Sequence, residues 1–212
     1  MPVNKIVATR RGKAVVVAGL LAAAASGWQG WIQSHTVTPQ SIHQAIDKGI
    51  TPPAVEIAIA LASKWEGVRL TAYLDPIGKP TVCKGETMVN GKPVKLGMHF
   101  TLDECNAMLK KRLIHDYYLP LVDNVKDFVT APDSVQGAAL DVAYNVGTGV
   151  ITSKTSTAGK AISAHDYQKA CAGLTLFNRA GGKVLPGLDN RRKMGDKTRE
   201  GEAEVCLNTE VK

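Results

Sequence analysis

Glu66, Asp75 and Thr81 fall within one short stretch, KWEGVRLTAYLDPIGKPT, that runs from Lys64 to Thr81. The acids stand nine positions apart, and the threonine follows six further on. Acid–base cleavage of a glycosidic bond needs one carboxyl that gives a proton to the leaving oxygen and a carboxylate that faces it across the sugar. A threonine hydroxyl donates and accepts at once, so it can hold the attacking water. Trp65 and Tyr73 add aromatic surface beside them. Two acids among turn-forming residues are more commonly solvated surface charges, so the chemistry depends on the elements that position them.

In residues 53–65, PAVEIAIALASKW, Val55, Ala58, Ile59 and Ala62 share one helical face, and Gly67 is a stop signal. Glu66 is thus expected at a helix C-terminus, where the macrodipole disfavours a carboxylate. Residues 68–100 break the helical period with glycines, prolines and short alternating runs. They predict a small antiparallel sheet, with Asn90-Gly91 in MVNGKPV as a hairpin turn. A helix packed on that sheet makes a cleft with one acid on each wall. Beyond it the pattern is helical. Thr101 and Glu104 form a capping box, with Leu102, Cys105, Leu109, Leu113 and Ile114 in helix period behind it. Further helices are expected in TAPDSVQGAALDVAYNVG, in SAHDYQKACAG with Ser163 as cap, and over about 187–204. The fold class is α+β, a small antiparallel sheet beside a mainly helical lobe.

The N-terminus differs in kind. Lys5, Arg10, Arg11 and Lys13 precede an uncharged run from Ala14 to Ser34. That run is long enough for a bilayer-spanning helix but rich in Ala, Gly and Ser. The basic flank orients it with the N-terminus inside, and Trp28 and Trp31 suit the far interface. A cleaved signal ending before Ser26, a permanent anchor and a segment able to leave the bilayer all fit, and each places the remainder outside the cytoplasm. Residues 36–52 read as a connector with one short helix from Thr38-Pro39 to Gly49. The formal net charge of +7 favours an anionic partner such as a cell-wall polymer. No nucleic-acid motif or metal-ligand spacing accompanies it, so nucleic acid, metals and cofactors are not expected. The cysteines are read either as small buried thiols or, behind an export-type N-terminus, as two disulfides. Three pairings are open, of which Cys83–Cys105 with Cys171–Cys206 is the one expected.

WEGVRLTAYLDPIGKPTVCKGET resembles the signature of the phage-type lysozymes of glycoside hydrolase family 24. Glu66-Gly67, Tyr73, Asp75, Gly78 and Thr81 match in order, while Glu86 stands where a histidine is frequent. GMHFTLDECNAMLKKRL, ALDVAYNVGTGV and FNRAGGKVLPGLDNRRKMGDKTREGEAEVCL continue the resemblance over about residues 54–207, with Phe177 in the place of a usual tryptophan. The resemblance implies a lysozyme-like fold, with Glu66 as general acid, Asp75 directing the water and Thr81 helping to place it. Asn145 matches a polar residue facing the sugar and Arg191 a basic residue that steadies the site, although a helix cap and a structural ion pair explain these two equally simply. The implied reaction is hydrolysis of peptidoglycan between N-acetylmuramic acid and N-acetylglucosamine.

Residues 14–32 further resemble the signal-arrest-release segment of some lambdoid endolysins, which is held uncleaved at the inner membrane facing the periplasm and later released. No cysteine precedes Cys83, so a thiol within the segment cannot trigger release. The expected organisation is a basic tip and transmembrane segment over 1–35, a linker over 36–52 and a catalytic domain over 53–212, monomeric once released. A lytic transglycosylase with a lone glutamate and a non-catalytic wall-binding or membrane-disrupting protein are the competing readings.

Overall fold

The computed structural model describes residues 5–211, so part of the expected basic tip lies outside them. The first helix, α1 (Arg10–Ala25), is capped by Thr9, whose side chain accepts from the Gly12 amide. It ends before Gly27, which takes φ +95° in the left-handed region, and α2 (Trp28–Ser34) leaves at a 75° bend. The continuous span expected over the uncharged run is therefore broken among the described residues. Among the described residues no single helix is long and apolar enough to cross a membrane, although α1 and α2 together reach that length and composition. Trp28 and Trp31 are buried in the main core rather than set at an interface. They are joined there by Ile42 and Ala45 of α3 (Pro39–Asp47), which carries a Thr38–Ser41 capping box.

Helix α4 (Pro53–Glu66) is the central strut. Its Ala54, Val55, Ile57, Ala58, Leu61 and Ala62 are fully buried. Ile57 is gripped from two sides by glycine. A Cβ on Gly19 of α1 would lie 2.5 Å from Ile57 Cγ1, and one on Gly137 would lie 2.6 Å from Ile57 Cγ2. Only residues without a side chain allow both neighbouring helices so close.

After Gly67 the chain forms β1 (Arg69–Leu74) and β2 (Pro80–Cys83), an antiparallel pair in which Tyr73 faces Thr81. Strands β3 (Met88–Val89) and β4 (Lys92–Pro93) follow as the expected hairpin, with Asn90 and Gly91 at φ +51° and +74°. The single sheet expected over 68–100 is in fact two separate two-stranded ribbons joined to their surroundings by isolated bridges such as Thr71–His99. The free edge of β1 is met instead by residues 98–100, where Ala72 N donates to Met98 O and Phe100 N to Leu70 O, each at 2.9 Å.

The helical lobe opens with α5 (Leu102–Arg112), whose Thr101–Glu104 capping box forms as expected. A π-helical turn at Leu113–Tyr118 leads into α6 (Leu119–Asn124), and a 3₁₀ turn at Phe128–Thr130 precedes α7 (Asp133–Val146). Then come α8 (Gly149–Thr152), α9 (Thr157–Ser163) and α10 (Tyr167–Leu174). Ser163 closes α9 instead of capping the next helix. Asp166 caps α10 by accepting from the Lys169 amide.

A small ribbon, β5 (Arg179–Ala180) and β6 (Lys183–Val184), precedes α11 (Pro186–Arg192) and α12 (Glu202–Cys206). One helix was expected over 187–204. It is interrupted because Gly195, at φ +69°, and Gly201 bring the chain back on itself, and a Cβ on either would stand about 2 Å from a carbonyl oxygen. The cysteines pair as Cys83–Cys105, joining β2 to α5, and Cys171–Cys206, joining α10 to α12.

Candidate active site

Glu66 is the last residue of α4, and Gly67 at φ +68° turns the chain out of the helix there. Its carboxylate points away from the α4 core and is 28% exposed. Oε1 accepts from Arg191 Nη1 at 2.5 Å and from Asn145 Nδ2 at 3.4 Å. Oε2 has no hydrogen-bond partner among the described residues, so it is the oxygen open to a substrate.

Behind Glu66 lies a buried ionic cluster. Arg191 donates from Nε to Glu202 Oε1 at 3.1 Å and from Nη2 to both oxygens of Asp141 at 3.1 and 3.2 Å. Arg192 donates to Glu202 Oε1, to Asn145 Oδ1 and, from Nε, to the Phe177 carbonyl at 2.9 Å. Asp141, Glu202 and Arg192 are wholly inaccessible, and Arg191 is nearly so. Burial works against the Arg191 cation, but Asp141, Glu202 and Glu66 outweigh it and raise its pKa further. Glu202 goes the other way for a carboxylate. Burial, then the neighbouring Asp141, push it well above the usual range against the pull of Arg192 and Arg191. Its Oε2 is also the buried side-chain oxygen that lacks a partner among the described residues.

The element expected as the second wall, the β1–β2 turn, is built from backbone. Asp75 sits at the β1–β2 turn, and its Oδ1 accepts from the amides of Ile77 (3.0 Å) and Lys79 (2.8 Å). The turn is closed by Asp75 N to Lys79 O and by Gly78 N, with Gly78 at φ +80°, to Asp75 O. Thr81 is buried and donates to the Lys79 carbonyl at 3.1 Å. Its oxygen lone pairs are therefore left to accept from a water. Lys84 braces the two walls. Its Nζ donates to Ser63 Oγ of α4 at 2.6 Å and to Asn106 Oδ1 at 2.9 Å, and its carbonyl accepts from Tyr144 Oη at 2.8 Å. Burial lowers the Lys84 pKa and raises that of Tyr144.

Glu86, the departure from the family pattern, is buried and pairs with Arg112 at 3.3 Å. Burial raises its pKa and Arg112 opposes that. The same guanidinium lies over the Tyr144 ring, 5.4 Å from its centre, so the substituted position keeps a charge partner of its own.

The structure thus gathers Glu66, Asn145 and Arg191 into one hydrogen-bonded group, and Asp75 and Thr81 into another that shares Lys79. Arg191 is too buried to meet a sugar. It stands behind Glu66 as an ion pair, the structural alternative weighed for it in the sequence, and is not placed for the substrate-binding role also expected of it. Asn145 is a link within the same group, since both ends of its amide are engaged by Glu66 and Arg192, and the helix cap is Gly147 instead. Arg192, Asp141 and Glu202 escaped the reading of the sequence. Their signals were present in it: a second arginine in NRR, and a lone acid inside the apolar run AALDVAY.

Known proteins share the sequence pattern and the fold. The phage lysozyme family model matches residues 63–195. A SAR-endolysin of Enterobacteria phage P21 is 33% identical over 177 residues, spanning 80% of this chain and 97% of the relative. Among solved structures, an endolysin from Escherichia coli O157:H7 phage FAHEc1 superposes with TM-score 0.60 at 26% identity, covering 71% of this chain and 90% of that one. The active form of the P1 phage endolysin Lyz has the same fold, with TM-score 0.58 at 24% identity over 80% of this chain and 93% of its own.

Proposed function

For a chain that belongs to the phage lysozyme family, and is accordingly an endolysin and a glycosidase that acts in peptidoglycan lysis, we propose a specific reaction: hydrolysis of the β-1,4 bond from N-acetylmuramic acid to N-acetylglucosamine. Glu66 gives its proton from Oε2 to the leaving glycosidic oxygen as the C1–O bond breaks. A water held by Thr81 attacks C1, and Asp75 takes its proton. Asn145 and Arg191 fix the other oxygen of Glu66, so the acid presents one edge only. The observation that carries this reading is the one-sided hold on Glu66 at the end of α4, together with a turn whose backbone holds Asp75 by one oxygen in the same way.

We further propose that the N-terminal segment, residues 14–32, holds the newly made enzyme at the host inner membrane, facing the periplasm, and docks onto the catalytic domain as a monomer on release. The two faces of α1 support this. Gly12, Val15, Val16, Gly19 and Ala23 face the protein, while Ala14, Val17, Ala18 and Leu21 face outward and are equally uncharged. Such a helix is compatible with lipid all round, yet has a narrow small-residue face that a protein surface can accept.

The reaction is tested with purified peptidoglycan and mass spectrometry. Products with a reducing N-acetylmuramic acid end are expected. Anhydro ends would make the chain a lytic transglycosylase instead. Glu66→Gln should lower turnover at least ~10³-fold, because an amide cannot supply the proton. Lysis that persists in this variant would point to a non-catalytic, membrane-disrupting protein. The intact mass of the periplasmic enzyme tests the N-terminus: it should include the whole segment, and a product that starts at Ser26 would replace release with cleavage.

A further inference from the structure

The cluster that holds Glu66 is fed by a single excursion of the chain. Residues 193–201 leave α11 directly after Arg191 and Arg192 and return into α12, whose first residue is Glu202. The excursion is tight. Lys193 O accepts from Glu204 N at 3.1 Å, Asn190 O from Gly195 N at 2.7 Å, and Arg199 O from Asp196 N at 2.9 Å. It is tied to the catalytic helix one residue before the acid. Trp65 Nε1 donates to Glu200 O at 2.9 Å, Lys64 Nζ to Glu200 Oε2 at 2.6 Å, and Arg199 lies 3.9 Å over the Trp65 ring.

The remaining tie comes from α1. Arg11 donates from Nε and Nη2 to the two oxygens of Glu204 at 2.7 and 2.8 Å, and also to the carbonyls of Met194 and Asp196. The same carboxylate, fully buried, accepts from the Thr9 hydroxyl and from the Gly201 amide at 3.2 Å. The helix lies close enough for this because position 12 has no side chain: a Cβ there would stand 2.8 Å from the Glu204 carbonyl oxygen. One guanidinium therefore closes both ends of the excursion, Met194 and Asp196 where it departs and Glu204 where it returns. Without it a buried carboxylate loses its cation and two carbonyls lose their donor.

We propose that Arg11 is a positioning residue for the glycosidase reaction. By clasping residues 193–204 it keeps Arg191, Arg192 and Glu202 in the arrangement that holds Glu66 and Asn145. The inference rests on the role proposed above for Glu66. It assigns Arg11 no contact with substrate, since its reach ends three side chains from the acid.

The test measures release of reducing ends from peptidoglycan by the purified full-length chain. Arg11→Gln should lower kcat about 10- to 100-fold, the scale set by displacing a reacting group from a distance, with KM changed less than about twofold. Arg11→Lys keeps the charge but loses the bidentate fork and should recover part of the loss. Glu204→Gln should match Arg11→Gln, and the double variant should lose little more than either alone, because the two residues act as one unit. Lys13→Gln, on the exposed face of the same helix, should behave as wild type. Wild-type kcat in Arg11→Gln, a loss confined to KM, or full additivity in the double variant would each overturn the role. A wild-type chain that releases no reducing ends would instead overturn the reaction itself, and the positioning role with it.

Discussion

The two walls of the site are held by different means. Asp75 and Thr81 are fixed by backbone amides and a carbonyl within a seven-residue turn, with every partner supplied locally. Glu66 is fixed by the Asn145 amide of α7 and the Arg191 guanidinium of α11, behind which Arg191 and Arg192 share the Glu202 carboxyl of α12. A backbone cradle forms with its own hairpin and answers to little else. A buried ionic cluster is assembled from distant segments, and each member left alone is a liability. Glu66 thus depends on the rest of the molecule, and the turn that carries Asp75 and Thr81 is close to autonomous.

Substitutions can break or sharpen this contrast. The largest effect is expected on the ionic side. Glu202→Ala leaves two buried guanidiniums short of their shared acceptor and should cost about 3–5 kcal/mol of stability, measured by urea denaturation, with activity falling as Glu66 loses its support. On the hairpin side, Thr81→Ala should leave stability within about 1 kcal/mol but reduce kcat ~10- to 100-fold, the scale of losing one positioned hydrogen bond to the reacting water. A Thr81→Ala variant as unstable as Glu202→Ala would erase the distinction between the walls. The smallest effect lies away from both. Burial raises Asp133 at the start of α7 to about 6 from an ordinary 3.8. The folded protein therefore binds this proton more tightly than the unfolded chain, and stability falls as pH rises from about 4 to about 6. Asp133→Asn should flatten that part of the profile and add about 1 kcal/mol at pH 7, a figure reduced for the favourable helix N-terminus. Thermal melts across this range would read it.

The same contrast explains what could be read from the sequence. Thr101 with Glu104, Asn90 with Gly91, and Glu66 before Gly67 act over a few residues, so their types and spacing reveal them. Asp75 and Thr81 belong to that group. Arg191 with Asp141, fifty positions apart, does not, because nothing local distinguishes a buried arginine from a solvated one. The helix expected over 187–204 failed for a related reason: what interrupts it is a close return of the chain, seen only once Gly195 and Gly201 face carbonyls. The N-terminal run was legible as uncharged and helical. Its bend at Gly27 and the burial of Trp28 and Trp31 come from tertiary packing, which hydropathy does not register.

The close approach of Gly19 to Ile57 has a consequence for how the N-terminal segment can vary. Under the membrane role proposed above, the same residues must satisfy two solvents in turn. Leucine in place of Gly19 would deepen partition into hydrocarbon but collide with the domain on the way back, since even a methyl group there meets Ile57 at 2.5 Å. A lysine at Leu21 would suit the docked, water-facing surface but oppose insertion. The segment is confined to residues mediocre in both settings, and that mediocrity is what makes its journey reversible in design.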